Sequence, residues 1–141
     1  MKEKIKFYDQ NMGIPDETGE AVYYYDKLMY VLYDAPVCCL HFSDDSQRKE
    51  EIALHEIMRN LPQYVFFQCN KATIINFCHY KGYNKVTRTV TMNDGVKFHL
   101  SRRRVTAFKS MKNSLPRLSP SCPACYTCTK NDCANRVIFC R

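Results

Sequence analysis

Along this chain, apolar residues alternate with polar ones in several short stretches and take helical spacing in one. Residues 4–8 (KIKFY) alternate and predict a first strand. Residues 10–19 (QNMGIPDETG) mix Gly, Pro, Asn and Asp and read as a loop. Residues 20–42 are rich in Tyr, Val, Leu and Phe, punctuated at Asp26-Lys27 and Asp34-Ala35-Pro36. Aromatic and β-branched residues suit a pleated, half-buried surface, so a three-strand meander is expected there. Over residues 44–61, Leu54, Ile57, Met58 and Leu61 form one apolar stripe, with Ser43, Asp44 and Asp45 supplying the N-cap and first-turn anions and Pro62 after the stop. That spacing predicts the main helix.

The second half repeats the strand pattern. Residues 64–69 and 73–80 read as buried strands. Residues 85–92 and 96–101 alternate around Asn93-Asp94-Gly95, a hairpin signal, with Val86, Val90, Val96, Phe98 and Leu100 as their apolar content. Residues 102–113 predict a short helix with Val105, Phe108 and Met111 or Lys112 on one side. Residues 114–121 (SLPRLSPS) read as a linker. The expected fold class is α+β: antiparallel strands, one main helix packed on them, and a cysteine-rich C-terminal tail. This divides the chain into an α+β domain over 1–117 and a tail over 118–141 packed on it.

Charge is unevenly distributed over the 141 residues. Residues 1–60 carry 7 Lys/Arg against 12 Asp/Glu, a net of −5, and residues 61–141 carry 14 against 2, a net of +12. Between Lys81 and Arg117 only Asp94 interrupts the positive charge, and Tyr80, Tyr83, Phe98 and Phe108 interleave with it. Such a segment suits phosphate contacts and stacking on bases, and equally a face for an acidic protein. Arg102, Arg103, Arg104, Lys109 and Lys112 are the candidate nucleic-acid contacts. No uncharged apolar run reaches membrane-spanning length, and the N-terminus has no apolar signal core, so an intracellular place, nuclear or cytoplasmic, with no membrane partner is expected.

Nine cysteines cannot all pair with one another, and a reducing compartment favours metal binding. Cys122, Cys125, Cys128, Cys133 and Cys140 crowd the last 20 residues, and thiolates two residues apart hold one ion from a tight turn. Zinc is therefore the expected cofactor, with Cys78 and His79 as candidates for a second, long-range site alongside Cys69. Disulfides, an iron–sulfur cluster and copper are the alternatives; the spacing after Cys128 departs from the ferredoxin run. His55-Glu56 lacks the second histidine of a metalloprotease helix, no His-x-Glu of a zinc deaminase occurs, and there is no phosphate-binding glycine loop. A non-enzymatic protein is expected.

Cys122-Pro123-Ala124-Cys125 resembles the last ligand pair of RING fingers, and the chain around it a RING/U-box-like, treble-clef layout. More loosely, a compact Tyr- and Cys-rich chain with such a tail is similar to the small cysteine-rich nucleocapsid-associated proteins of baculoviruses. The resemblance implies a zinc-binding interaction module in macromolecular assembly, virion-associated, meeting protein partners or copies of itself. A nucleic-acid-binding zinc protein using residues 81–117 is the alternative, and a RING-like ubiquitin-ligase adaptor the second.

Overall fold

The computed structural model describes residues 5–114. Eleven strands, β1 (Lys6–Phe7), β2 (Asn11–Asp16), β3 (Gly19–Tyr24), β4 (Leu28–Asp34), β5 (Val37–Phe42), β6 (Gln47–Glu50), β7 (Phe66–Asn70), β8 (Thr73–Asn76), β9 (Tyr80–Asn84), β10 (Thr89–Met92) and β11 (Lys97–His99), form three antiparallel sheets. Among the described residues there are two short α-helices: α1 (Leu54–Asn60) between β6 and β7, and α2 (Val105–Ser114) after β11.

The central sheet has five strands in the order β6-β5-β4-β8-β7. Neighbouring residues along its inner strands face opposite ways, as the pleat requires, and both faces are covered. Val31, Leu40, Phe66 and Ile74 point to one side, where they pack with Met12, Ile14 and α1's Leu54 and Ile57. Tyr30, Phe67 and Ile75 point to the other, against Val90, Met92, Leu100 and α2's Phe108. The β1-β2-β3 sheet and α1 thus cover one face, and the β11-β10-β9 sheet and α2 cover the other. This is a layered β architecture with two small helices, not strands carrying one main helix, and it replaces the α+β expectation.

The helix predicted over 44–61 is the largest local correction. Its first half is strand. Asp44 accepts hydrogen bonds from the Ser46 amide (3.0 Å) and hydroxyl (2.5 Å), and Asp45 takes φ +70°, so the intended capping residues make the turn between β5 and β6. Arg48 then donates to Tyr23 Oη (3.2 Å) and Pro15 O (3.0 Å), and Lys49 pairs with Cys39. The apolar stripe starts only at Leu54, so helix forms only where it has a side to bury.

The predicted loop at 10–19 is instead a hairpin. Met12 and Ile14 are fully buried and alternate, and Gly19 at φ +124° closes the turn into β3. β1 pairs only with Met12 and Gly13, so Pro15 lies beyond it and costs that ladder no donor. The strands expected over 20–42 are present as β3, β4 and β5. In the second half the strands expected over 64–69 and 73–80 are present as β7 and the shorter β8, with residues 77–79 a 3-10 turn. The hairpin around Asn93-Asp94-Gly95 is present as β10 and β11, the alternation does not predict β9, and Val86 lies in the turn before β10, 86% exposed. Ser114, the first residue of the expected linker, ends α2; the rest of the linker and the tail, with the boundary at 117/118, lie outside the described residues.

Candidate nucleic-acid interface

Antiparallel strands return their turns alternately to two ends of the fold. At one end lie the turn from β4 to β5, the turn from β7 to β8, the turn from β9 to β10, and the stretch from β11 into α2. The pairings Leu32↔Thr73 and Asp34↔Val37 place the first two together. The amide of Tyr33 donates to Ala72 O (2.8 Å), that of Ser101 to Cys69 O (3.0 Å) and that of Leu100 to Arg88 O (2.8 Å), which stitches all four turns into one surface. Asn70 adds a clasp: its Nδ2 donates to His99 O (2.6 Å) and its Oδ1 accepts from the Ala72 amide (2.8 Å).

This end carries Lys71, Lys85, Arg88, Arg102 and Arg103. All but Arg88 are exposed, Arg88 is half-buried, and no described carboxylate lies within ion-pair distance of any of them. Asp34 is the acidic residue among these turns. The opposite end holds the turns at 25–27, 43–46, 77–79 and 93–96, with Asp26, Asp44, Asp45 and Asp94 against Lys27. The turns therefore differ in charge, basic at one end and acidic at the other, although Lys81, Lys97 and Lys112 lie beside the acidic turns and Glu50 beside the basic ones.

The five predicted contacts separate accordingly. Arg102 and Arg103 stand in the 3-10 turn before α2 and face solvent. Arg104 does not: its Nε donates to Gln68 O (3.0 Å) and its guanidinium carbon lies 4.6 Å from the Phe67 ring centre, so it fastens α2 to β7. Lys109 is exposed on the helix. Lys112 belongs elsewhere, with its Nζ 5.5 Å from the centre of Tyr80, which begins β9 at the acidic end. Lys71 escaped sequence reasoning because it lies outside the basic run; its signal was position, beside Asn70 in a turn between two apolar strands.

Cys78 and His79 are built into the fold. The Cys78 amide donates to Asn76 Oδ1 (2.9 Å), and Asn76, fully buried, donates to Leu28 O (2.9 Å). His79 Nε2 lies 2.8 Å from Asp26 O, and burial lowers the histidine's pKa. Burial pushes the Cys69 thiol up to about 12 and Cys38 to about 11, so neither offers a ready thiolate. Among the described residues no group of three or more His, Cys, Asp or Glu could hold a metal ion, so Cys69, Cys78 and His79 do not make a site by themselves. Cys122, Cys125, Cys128, Cys133 and Cys140 lie outside the described residues. No helix among those residues is long and apolar enough to cross a membrane.

Comparison with known proteins fits this geometry. A search of curated proteins finds no match. Among solved structures, the LytTr DNA-binding domain of a protein described as a methyl-accepting/DNA response regulator from Bacillus cereus superposes with a TM-score of 0.64. It is 18% identical, with 74% of this chain and 98% of that one covered, so it speaks for the fold. The LytTr DNA-binding domain profile matches residues 24–113, from the end of β3 through nearly all of α2 and including all four turns of the basic end. The RING/U-box resemblance and the looser viral one are thereby overturned, and with them the reading as a RING-like zinc structural module: the match ends at Asn113, before the cysteine tail, and this chain belongs to the LytTr DNA-binding domain family.

Proposed function

We propose that this chain binds duplex DNA through the basic end of the fold and serves as the DNA-binding part of a regulatory protein. One observation carries the reading: four turns, separated in sequence, are hydrogen-bonded into a single surface that gathers Lys71, Lys85, Arg88, Arg102 and Arg103. Phosphate contacts need such cations held at fixed spacing, and turns project from a sheet end as a flat face does not. The turns at the opposite end carry aspartates instead, which favours approach of the same backbone to the basic turns. The role is binding rather than catalysis, and it takes the place of the protein-assembly reading.

The test is a titration of the full chain on duplex DNA across a series of salt concentrations. Each phosphate contact contributes about 0.9 to the slope of log affinity against log salt. Arg102→Ala with Arg103→Ala is expected to lower that slope by about 2. Lys112→Ala, at the other end, is expected to leave it unchanged. An unchanged slope in the double variant would remove this end from the interface.

A further inference from the structure

The β11-β10-β9 sheet has two hairpin turns, one at each end of the fold, and they are built from different residues. The turn at the acidic end is Asn93-Asp94-Gly95. Gly95 takes φ +89°, and Asp94 Oδ1 accepts from the Val96 amide (3.0 Å). Those are the residues a tight hairpin asks for. The turn at the basic end is Lys85-Val86-Thr87-Arg88. There the positive φ, +52°, falls on Arg88, in a region that residues other than glycine, asparagine and aspartate avoid. A β-branched apolar residue stands near the tip, 86% exposed, more than any other large hydrophobic residue described.

The turn is nonetheless held firmly. Asn84 Oδ1 accepts from the amides of Val86 (2.9 Å) and Thr87 (3.2 Å), and Arg88 O accepts from Leu100. So the two residues that local folding preference would not place here are presented on a pinned loop, among the cations of the proposed interface. Departures from local preference that folding does not use mark residues kept for a function.

We infer that Val86 reads the DNA sequence by packing against the 5-methyl group of a thymine in the major groove, with Lys85 and Arg88 holding the turn to the flanking phosphates. The chemistry is complementary: thymine is the base that offers an apolar group in that groove, and an aliphatic side chain is what recognises it. The inference rests on the DNA-binding reading and adds the residue that discriminates between bases.

The test uses the full chain and a duplex enriched on it from a random-sequence pool. Each thymine of that duplex is then replaced in turn by deoxyuridine, which removes the methyl group and leaves every hydrogen-bonding edge intact. The wild-type chain is expected to bind about fourfold more weakly when one particular thymine is replaced, the effect of uncovering one methyl group. Val86→Ala is expected to bind the unmodified duplex with a similar loss and to be indifferent to deoxyuridine at that position. Its salt slope should match the wild type, because no charge has been removed. If the wild type is insensitive at every position, or Val86→Ala keeps the wild-type sensitivity, the assignment is wrong. If the wild type binds duplex DNA but enriches no sequence, the base-reading assignment falls; if it binds no duplex at all, the DNA-binding reading itself falls.

Discussion

Arg104 offers the sharpest separation between a cation that holds the fold and cations that meet a partner. Replacing it with alanine removes a charge-assisted bond to Gln68 O at 3.0 Å and the guanidinium lying 4.6 Å over Phe67. A hydrogen bond to a charged group is worth about 1.5–3 kcal/mol, and a half-exposed cation–π contact about 0.5–1 kcal/mol. Some of this is recovered as water reaches the carbonyl, which leaves a destabilisation of about 2–3 kcal/mol. For a domain of about 100 residues that corresponds to a fall in melting temperature of about 8–12 °C. Arg104→Lys should recover little, because an ammonium neither spreads over the ring nor keeps the fixed geometry of the guanidinium. Arg102→Ala and Arg103→Ala, both exposed, should each stay within about 0.5 kcal/mol of the parent. Thermal unfolding followed by circular dichroism reads all four variants, and a DNA titration well below every melting point completes the comparison. If Arg104→Ala melts with the parent, or lowers the salt slope as a phosphate contact would, the division between the three adjacent arginines is wrong.

Phe108 is fully buried with the rings of Phe67, Phe77, Tyr80 and Tyr83 at 4.9–6.0 Å, so Phe108→Ala should cost about 3–5 kcal/mol and release α2, read as lost stability to urea. Cys38 and Cys69, their thiols pushed up to about 11 and about 12, should resist alkylation at pH 8 until the chain unfolds; peptide mapping that finds Cys69 labelled in the native protein would refute its burial. His79 has its pKa lowered in the fold, so between the folded value and about 6.5 the unfolded chain binds more protons. Stability should therefore decline as pH falls below about 6.5 and level off below the folded pKa, and His79→Gln should flatten that decline in urea melts. Asp26 shifts the other way: burial raises its pKa and its Oδ1 has no partner among the described residues. Asp26→Asn should then stabilise the protein at neutral pH, with the gain disappearing below about pH 3.8, where Asp26 is neutral in both states.

Alternation told most where it was cleanest. The hairpin around Asn93-Asp94-Gly95 and the buried strands beyond Pro62 follow directly from their period, because each strand has a face to bury and a turn that only certain residues make. The region before Leu54 misled for a physical reason. Ser-Asp-Asp is a capping sequence and a turn sequence alike, since both uses aim a side-chain oxygen at an amide two or three residues on. What decided between them was distant: Tyr23 Oη and Pro15 O waiting for Arg48, and Cys39 for Lys49. Likewise Gly13 and Pro15 disguised the alternation of Met12 and Ile14. The end of the exposed Glu20 side chain lies across Gly13, which sits in extended strand despite reading as loop.

The candidate interface was only half legible, because charge along a sequence and charge in space obey different rules. Reading the basic run from Lys81 onward takes in Lys85, Arg88, Arg102 and Arg103, yet also Lys112, which the same run carries to the other end along α2. It misses Lys71, which lies ten residues before the run begins. An antiparallel sheet reverses direction at every turn, so turns at even intervals share an end whatever lies between them. The composition of alternate turns is therefore the quantity that bears on binding. From β3 onward alternate turns differ in charge: Asp26, Asp44, Asp45 and Asp94 occupy one set, with Lys27, and Lys71, Lys85, Arg88, Arg102 and Arg103 the other, with Asp34. A difference that persists over successive reversals of the chain is a property of the folded surface, and it gives a polyanion one set of turns to approach.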